Sequence, residues 1–394
     1  MTALLSVAAW LISLAAATPL AVFTVEIATG LRGRRAAPRQ ATAGRATVLI
    51  PAHDEAGGIA ETLAALDAVS PPGTRVLVVA DNCTDATAAV ARTAGAQVVE
   101  RSDAVQRGKG YALSFGRDHI AASADHPDAV IVMDADCRLA PGSVRALAAA
   151  CADGHPVQAI NLIAPDLAAG PMTQISGFAM VVKNLYRSRG MQRLGGAALL
   201  TGTGMAFPWP LLARADLASG SLVEDLGLGI ALTRAGHAPR LIEEAGVSSA
   251  PAPPEVALIQ RTRWEHGFLD TIRRSAVPLL WSGLRRGSAA ELLLGAHLIV
   301  PPLALLLMMA GAVLAVTLGL ALIGASAMPA IVLGGMVIAA LGVTFLAWLH
   351  GGRRWLSGGA LLRAPLYVLW KLPIYLGFLR RRETVWRRTP RAGE

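Results

Sequence analysis

Residues 46–55 read ATVLIPAHDE, and residues 75–85 read RVLVVADNCTD. Each is a short aliphatic, β-branched run that ends in a loop rich in carboxylates and amides. Helical patterns follow both, at Gly58 to Ala68 and at Ala86 to Ala94, and Gln97 to Glu100 and Ala129 to Met133 supply further strands. Strands alternating with helices of this length imply βαβ units and a mainly parallel sheet. In such sheets the ligand sits beyond the carboxyl ends of the strands. The polar strand-end residues are therefore expected to carry the chemistry.

The rest of the chain departs from a soluble composition. Of its 394 residues, 54% are hydrophobic, against roughly 45–50% for soluble domains, and the mean hydropathy is +0.49. The excess sits at residues 3–28 and from 291 onward, while 46–265 reads as an ordinary globular enzyme. The net charge of +9 is concentrated beside the apolar stretches. Arg32, Arg34, Arg35, Arg39 and Arg45 follow the first, and Arg273, Arg274, Arg285 and Arg286 precede the second. Arg353 and Arg354 follow the third, and Arg380 to Arg382, Arg387, Arg388 and Arg391 close the chain. Arginines so placed mark the cytoplasmic side and favour anionic headgroups. A nucleic-acid partner is not expected, because no basic stripe with interleaved aromatics lies in the globular part. Cys83, Cys137 and Cys151 show no CxxC spacing, which argues for free thiols and against zinc.

Residues 3–28 are long enough to span a bilayer. With almost no basic residue before them and an arginine cluster after them, they read as an uncleaved anchor with its N-terminus outside; a signal peptide is the competing reading. Residues 292–323 and 329–349 read as two further spans turning around Ser326-Ala327-Met328-Pro329. Residues 364–379 hold Lys371 and Pro373 between basic flanks, and read as an interfacial amphipathic helix. The expected organisation is an anchor at 1–30, a cytoplasmic domain at 31–270, an interfacial segment at 271–290, a transmembrane hairpin at 291–350, and an interfacial helix with a basic tail at 351–394.

Four constellations stand out. His53-Asp54-Glu55 and Asp81-Asn82-Cys83-Thr84-Asp85 put carboxylates and amides beside helix starts, where they suit either a nucleoside or helix capping. Asp134 and Asp136 end an apolar strand, and at i and i+2 they fall on one side of an extended backbone. Two carboxylates that close repel unless a cation neutralises them, and a divalent ion with a diphosphate would do so; taken alone, the pair also fits a solvated turn. Gln260-Arg261-Thr262-Arg263-Trp264, with Glu224-Asp225 upstream, combines a phosphate-matching guanidinium with a flat apolar ring. An interfacial Arg-Trp belt is the alternative for that pentapeptide.

In this order and spacing, a strand-end Asp, a DxD, a Glu-Asp and a QRxRW before membrane helices, the chain resembles the membrane-bound family 2 glycosyltransferases. That group includes bacterial cellulose synthase, hyaluronan synthase and ceramide glucosyltransferase, and the resemblance covers about residues 46–286. It implies a GT-A-type α/β domain binding a nucleotide-sugar donor, with the UDP-linked kind, the commonest in the family, expected. By the resemblance Asp81 contacts the nucleoside, with His53 and Glu55 beside it. Asp134 and Asp136 hold the diphosphate and its Mg²⁺ or Mn²⁺, and Lys109 lies near the donor. Asp225 is the general base. Gln260, Arg263 and Trp264 close the site over pyrophosphate and acceptor, with Glu224 and Gly202-Thr203-Gly204 on the acceptor side.

The implied reaction is inverting sugar transfer to a lipid-linked or saccharide acceptor at the cytoplasmic face of a bacterial inner membrane. Membrane lipids and polysaccharide-assembly proteins are the remaining expected partners. Glu-Asp here follows Val223, where many relatives have Thr or Gly. Three spans leave little material for a polymer-conducting pore, which favours single transfer over a processive, exporting synthase. A catalytically inactive donor-sensing module is the reading of another class. A dehydrogenase is set aside, because no G-x-G-x-x-G follows the first strand.

Overall fold

A computed structural model of the chain describes residues 2–33, 44–221, 223–252 and 254–380. Arg34, Arg35, Arg39 and the arginines beyond Arg380 lie outside the described residues. The chain divides into two compact units. The first comprises the described residues of 34–164 and 197–267, and the second those of 1–33, 165–196 and 268–383.

In chain order the elements begin with α1 (Thr2–Gly30), β1 (Ala46–Ala52), α2 (Ile59–Asp67), β2 (Arg75–Asp81), α3 (Thr87–Thr93), β3 (Gln97–Arg101), α4 (Lys109–Ala121), β4 (Ala129–Val132) and β5 (Cys137–Leu139). Then come α5 (Ser143–Cys151), β6 (Val157–Ile163), α6 (Pro171–Val181), a π-helical turn (Val182–Arg187), α7 (Ser188–Leu194), β7 (Met205–Pro208), α8 (Trp209–Leu212), α9 (Glu224–Arg234) and β8 (Arg240–Ser249). The chain continues through α10 (Pro254–Arg286), α11 (Ala289–Leu298), α12 (Leu303–Leu322), α13 (Met328–His350), α14 (Gly358–Leu361), α15 (Ala364–Trp370) and α16 (Leu372–Arg380).

The first unit is built on one eight-stranded sheet in the order β3-β2-β1-β4-β7-β6-β8-β5. β3, β2, β1 and β4 are mutually parallel, as is β6 with β8, whereas β7 runs antiparallel to β4 and β6, and β5 to β8. The sheet is mixed and mostly parallel, as the βαβ pattern implies. Both faces are covered: Val48, Ile50, Val78 and Ile131 pack into one core, and Leu49, Leu77, Val79 and Val130 into the other. Burial of both faces explains the uninterrupted apolar runs.

Register fixes where the loops emerge. Pro51 and Ala52 face Val79 and Ala80, so the His53 and Asp81 loops leave the same rim side by side. Leu49 faces Val132, which brings Asp134 to that rim. Val132 also faces Met205 on antiparallel β7, so residues 202–204 enter the sheet where β4 leaves it.

In the second unit, α1, α12 and α13 have 29, 20 and 23 residues and are long and apolar enough to cross a membrane. Ser326 N–H donates to Ser6 Oγ at 2.9 Å. The start of α1 therefore lies beside the α12–α13 turn. The apolar stretch 292–323, read from sequence as one span, is two helices, because Pro301-Pro302 interrupts the ladder between α11 and α12. Likewise 364–379 is not one helix: α15 stops at Trp370 and α16 starts at Leu372, with Pro373 in its first turn.

Residues 165–196, read from sequence as part of the cytoplasmic domain, belong with these helices. Here α1 crosses the 182–194 segment so closely that a Cβ on Gly30 would run into the Tyr186 carbonyl and one on Gly190 into the Glu26 carbonyl. Glu26, buried in an otherwise uncharged helix, accepts from Arg187 Nε at 2.6 Å and sits 2.8 Å from His297 Nδ1. A charge withdrawn from water persists only when paired and hydrogen-bonded, and this pair meets that condition.

Candidate active site

Two groups of polar residues occupy the rim of the first unit. The first forms around the ends of β1 and β2. His53 Nδ1 lies 2.7 Å from the Asp81 carbonyl oxygen, and Glu55 N–H donates to Thr87 Oγ1 at 2.7 Å. Asp54 and Asn82 both sit at φ +53, the left-handed region that short polar residues tolerate best. Asp54 accepts from Thr84 N–H at 2.6 Å, tying the two loops together. These bonds, with burial opposing them, hold its carboxyl below the usual carboxylate range.

Asp81 is buried and paired with Arg101 at 2.7 Å. The pairing follows from register, since Asp81 faces Arg101 across β2 and β3, and Arg101 stacks 5.7 Å over the Tyr111 ring. The resemblance named Asp81 but not its partner.

The second group forms between β4, the start of α4 and the start of α9. Lys109, the first residue of α4, pairs with Asp134 and donates to Gly202 O at 2.7 Å. Asp134 N–H donates to Thr203 Oγ1 at 3.1 Å, and Gly204 N–H to Val132 O at 2.9 Å. Gly202 and Gly204 have φ of +80 and +66. A Cβ on Gly202 would lie 3.2 Å from both Asp225 Oδ2 and Lys109 Nζ. Only glycine gives both the turn and the close approach.

Gly110 likewise lets α4 abut the backbone of Leu217 and Ser219, the segment that leads to Glu224. Gln158, which the sequence reading did not single out, holds the 201–204 loop from below. Its amide donates to Thr203 O at 2.9 Å and accepts from Thr201 N–H at 3.0 Å. A polar residue in a strand that is apolar apart from it and Asn161 was the only available signal.

The electrostatics show that these groups share one field. Burial works to lower the Lys109 pKa, but Asp134, Glu224 and Asp225 outweigh it and raise it. Burial, then the Asp225 charge, pushes Glu224 up to about 7, against the pull of Lys109. Burial brings Arg263 below its ordinary value, while Glu224 and Asp134 hold it up. The structure thus brings Asp134, Glu224, Asp225, Lys109 and Arg263 together.

Asp136 joins through the strand-end turn: Asp134, Asp136 and Cys137 offer ligand atoms all within 4.8 Å of one another. Burial, with the two carboxylates, drives the Cys137 thiol well above its normal range. On the same helix as Arg263, Gln260 is half-buried and Trp264 is 37% exposed.

The sequence profile of the family described as "Glycosyltransferase like family 2" matches residues 43–267. No curated protein sequence matches the chain. Among solved structures, the mannosyltransferase PcManGT from Pyrobaculum calidifontis, determined in complex with GDP-Man and Mn²⁺, is 18% identical. The match covers 93% of this chain and 99% of that one, with a TM-score of 0.58. Glucosyl-3-phosphoglycerate synthase from Mycobacterium tuberculosis is 21% identical, over 58% of this chain and 78% of that one, with a TM-score of 0.38. By sequence and by fold, this chain belongs to the glycosyltransferase-like family 2 and adopts a GT-A fold.

Proposed function

We propose that the chain is an inverting glycosyltransferase of the membrane-bound group, moving one sugar from a UDP-linked donor to a lipid-linked or saccharide acceptor at the cytoplasmic face of the bacterial inner membrane. The observation that carries this reading is the convergence of Lys109, Asp134, Glu224, Asp225 and Arg263 on one rim. His53, Glu55 and Asp81 form the donor's nucleoside corner in this reading, and Gly202, Thr203, Gly204, Gln260 and Trp264 the acceptor side.

Asp134 and Asp136 would hold Mg²⁺ or Mn²⁺. Their donor set fits, because two carboxylates suit a hard cation while the neighbouring Cys137 thiol is held protonated. When bound, the ion neutralises the departing diphosphate. The related mannosyltransferase structure, holding GDP-Man and Mn²⁺, supports that choice.

Asp225 takes the proton from the acceptor hydroxyl as its oxygen bonds to the anomeric carbon and the bond to the nucleoside diphosphate breaks. A positioned base of this kind contributes roughly 10²- to 10⁴-fold. Arg263, partly withdrawn from water, stabilises the leaving charge. Direct displacement inverts the anomeric centre.

Among the described residues, three helices long and apolar enough to cross a membrane favour single transfer over synthesis and export of a polymer, with glycolipid or cell-surface polysaccharide assembly as the setting. Mass spectrometry of lipid extracts incubated with purified protein and a panel of nucleotide sugars tests the reading. Acceptors gaining one hexose are expected. Long polymers would instead favour a processive synthase, and no transfer from any donor would favour an inactive sensing module.

A further inference from the structure

At the end of the helical unit opposite Ser6 and Ser326, α1 and α13 finish beside each other around a cavity of ≈ 350 Å³. Leu31, Arg32, Leu346, Leu349 and His350 line it. Leu346 and Leu349, one turn apart on α13, are 49% and 39% exposed. Arg32 and His350 are exposed too, and among the described residues no carboxylate pairs with either. The cavity therefore joins an apolar wall to two nitrogen donors where two membrane-length helices stop. The other end of the bundle is different: residues 2–8 and 322–330 carry no charged side chain.

We propose that this cavity seats the phosphate of an anionic membrane lipid against Arg32 and His350, with an acyl chain along Leu346 and Leu349. The proposal rests on the reading that α1, α12 and α13 span a membrane.

A guanidinium fork matches phosphate oxygens, and cations at span ends meet the headgroup layer. The ends of two helices oppose an anion, each by an effective half charge confined to the last turn. Arg32, with Arg353 and Arg354 on the next turn, outnumbers them. Leucines exposed at this level suit an acyl chain better than water.

Native mass spectrometry of the purified full chain, with phosphatidylglycerol, phosphatidylcholine and inorganic phosphate in separate arms, tests the site. One phosphatidylglycerol should be retained in preference to the other two. R32Q/H350Q should weaken that retention about tenfold, L349E should weaken it comparably by setting a carboxylate beside the phosphate, and R353Q/R354Q should weaken it less. Equal retention of phosphatidylcholine, or unaltered binding in R32Q/H350Q and L349E, overturns the proposal. Inorganic phosphate that displaces the lipid assigns the cavity to a free anion and overturns the lipid source. Release of the protein from membranes by an alkaline carbonate wash would overturn the spanning reading itself.

Discussion

Lys109 reaches from the first turn of α4 onto the Asp134 carboxylate at the end of β4, and its second hydrogen bond goes to the Gly202 carbonyl oxygen at 2.7 Å. One ammonium thus joins two strand-end loops and compensates three carboxylates, those of Asp134, Glu224 and Asp225. Lys109→Met should leave those charges uncompensated. Transfer should fall by about 10²- to 10³-fold, and the acid limb of the pH–rate profile should move to higher pH as Glu224 holds its proton more tightly. An unshifted acid limb would show that the lysine acts only on the donor.

Glu224 gives the fold a pH dependence of defined sign. Its carboxyl titrates near 4.5 when unfolded and at about 7 in the folded protein. Its contribution to stability is therefore fully present below 4.5 and lost as pH rises through about 7. Glu224→Gln removes the dependence, so the variant should gain on wild type by about 2–4 °C in melting temperature between pH 6 and pH 8. Thermal unfolding of both proteins in one detergent measures it, and a loss relative to wild type would refute the burial argument.

Gly202 sits at φ +80 with Asp225 and Lys109 where a methyl group would go. Gly202→Ala should cost about 1–3 kcal/mol of backbone strain and lower kcat by displacing the carboxylate and the ammonium. Steady-state kinetics with intact donor binding is the expected signature. Unchanged kcat would mean that the loop relaxes without moving them.

Asp134→Ala should abolish metal-dependent donor binding, measured by calorimetry with and without Mn²⁺, and retained tight binding would remove the DxD assignment. Trp264→Ala should raise the acceptor KM more than the donor KM. Equal effects on both would point to a packing role for this 37%-exposed ring.

Single cysteines in a background lacking Cys83, Cys137 and Cys151 test the topology. Position 327, beside the α12–α13 turn, should label from the periplasm, and position 354, after α13, from the cytoplasm. The reverse pattern would invert the assignment of the whole helical unit.

Much of the sheet was legible because β1, β2 and β4 are buried on both faces and announce themselves as apolar runs. The polar residues ending those runs mark the rim. What sequence could not supply was register: Arg101 meets Asp81 only because β3 pairs with β2 in that alignment. Gln158 meets the 201–204 loop across 43 and 45 residues. Residues 165–196 were absorbed into the globular domain because Lys183, Arg187, Arg189 and Arg193 make them look soluble. Their counterparts, Glu26 and the carbonyls of Thr29 and Gly30, lie about 160 residues away in α1. The break at Pro301-Pro302 was visible, yet hydropathy alone ran through it.

The central claim is that Asp225 removes the acceptor's proton within a cluster that already holds the donor. Comparing Asp225→Asn with wild type, in donor binding and in sugar transfer by the purified protein, tests it most directly. The account predicts donor affinity preserved and transfer reduced by about 10²-fold or more. Transfer at the wild-type rate by Asp225→Asn would contradict it.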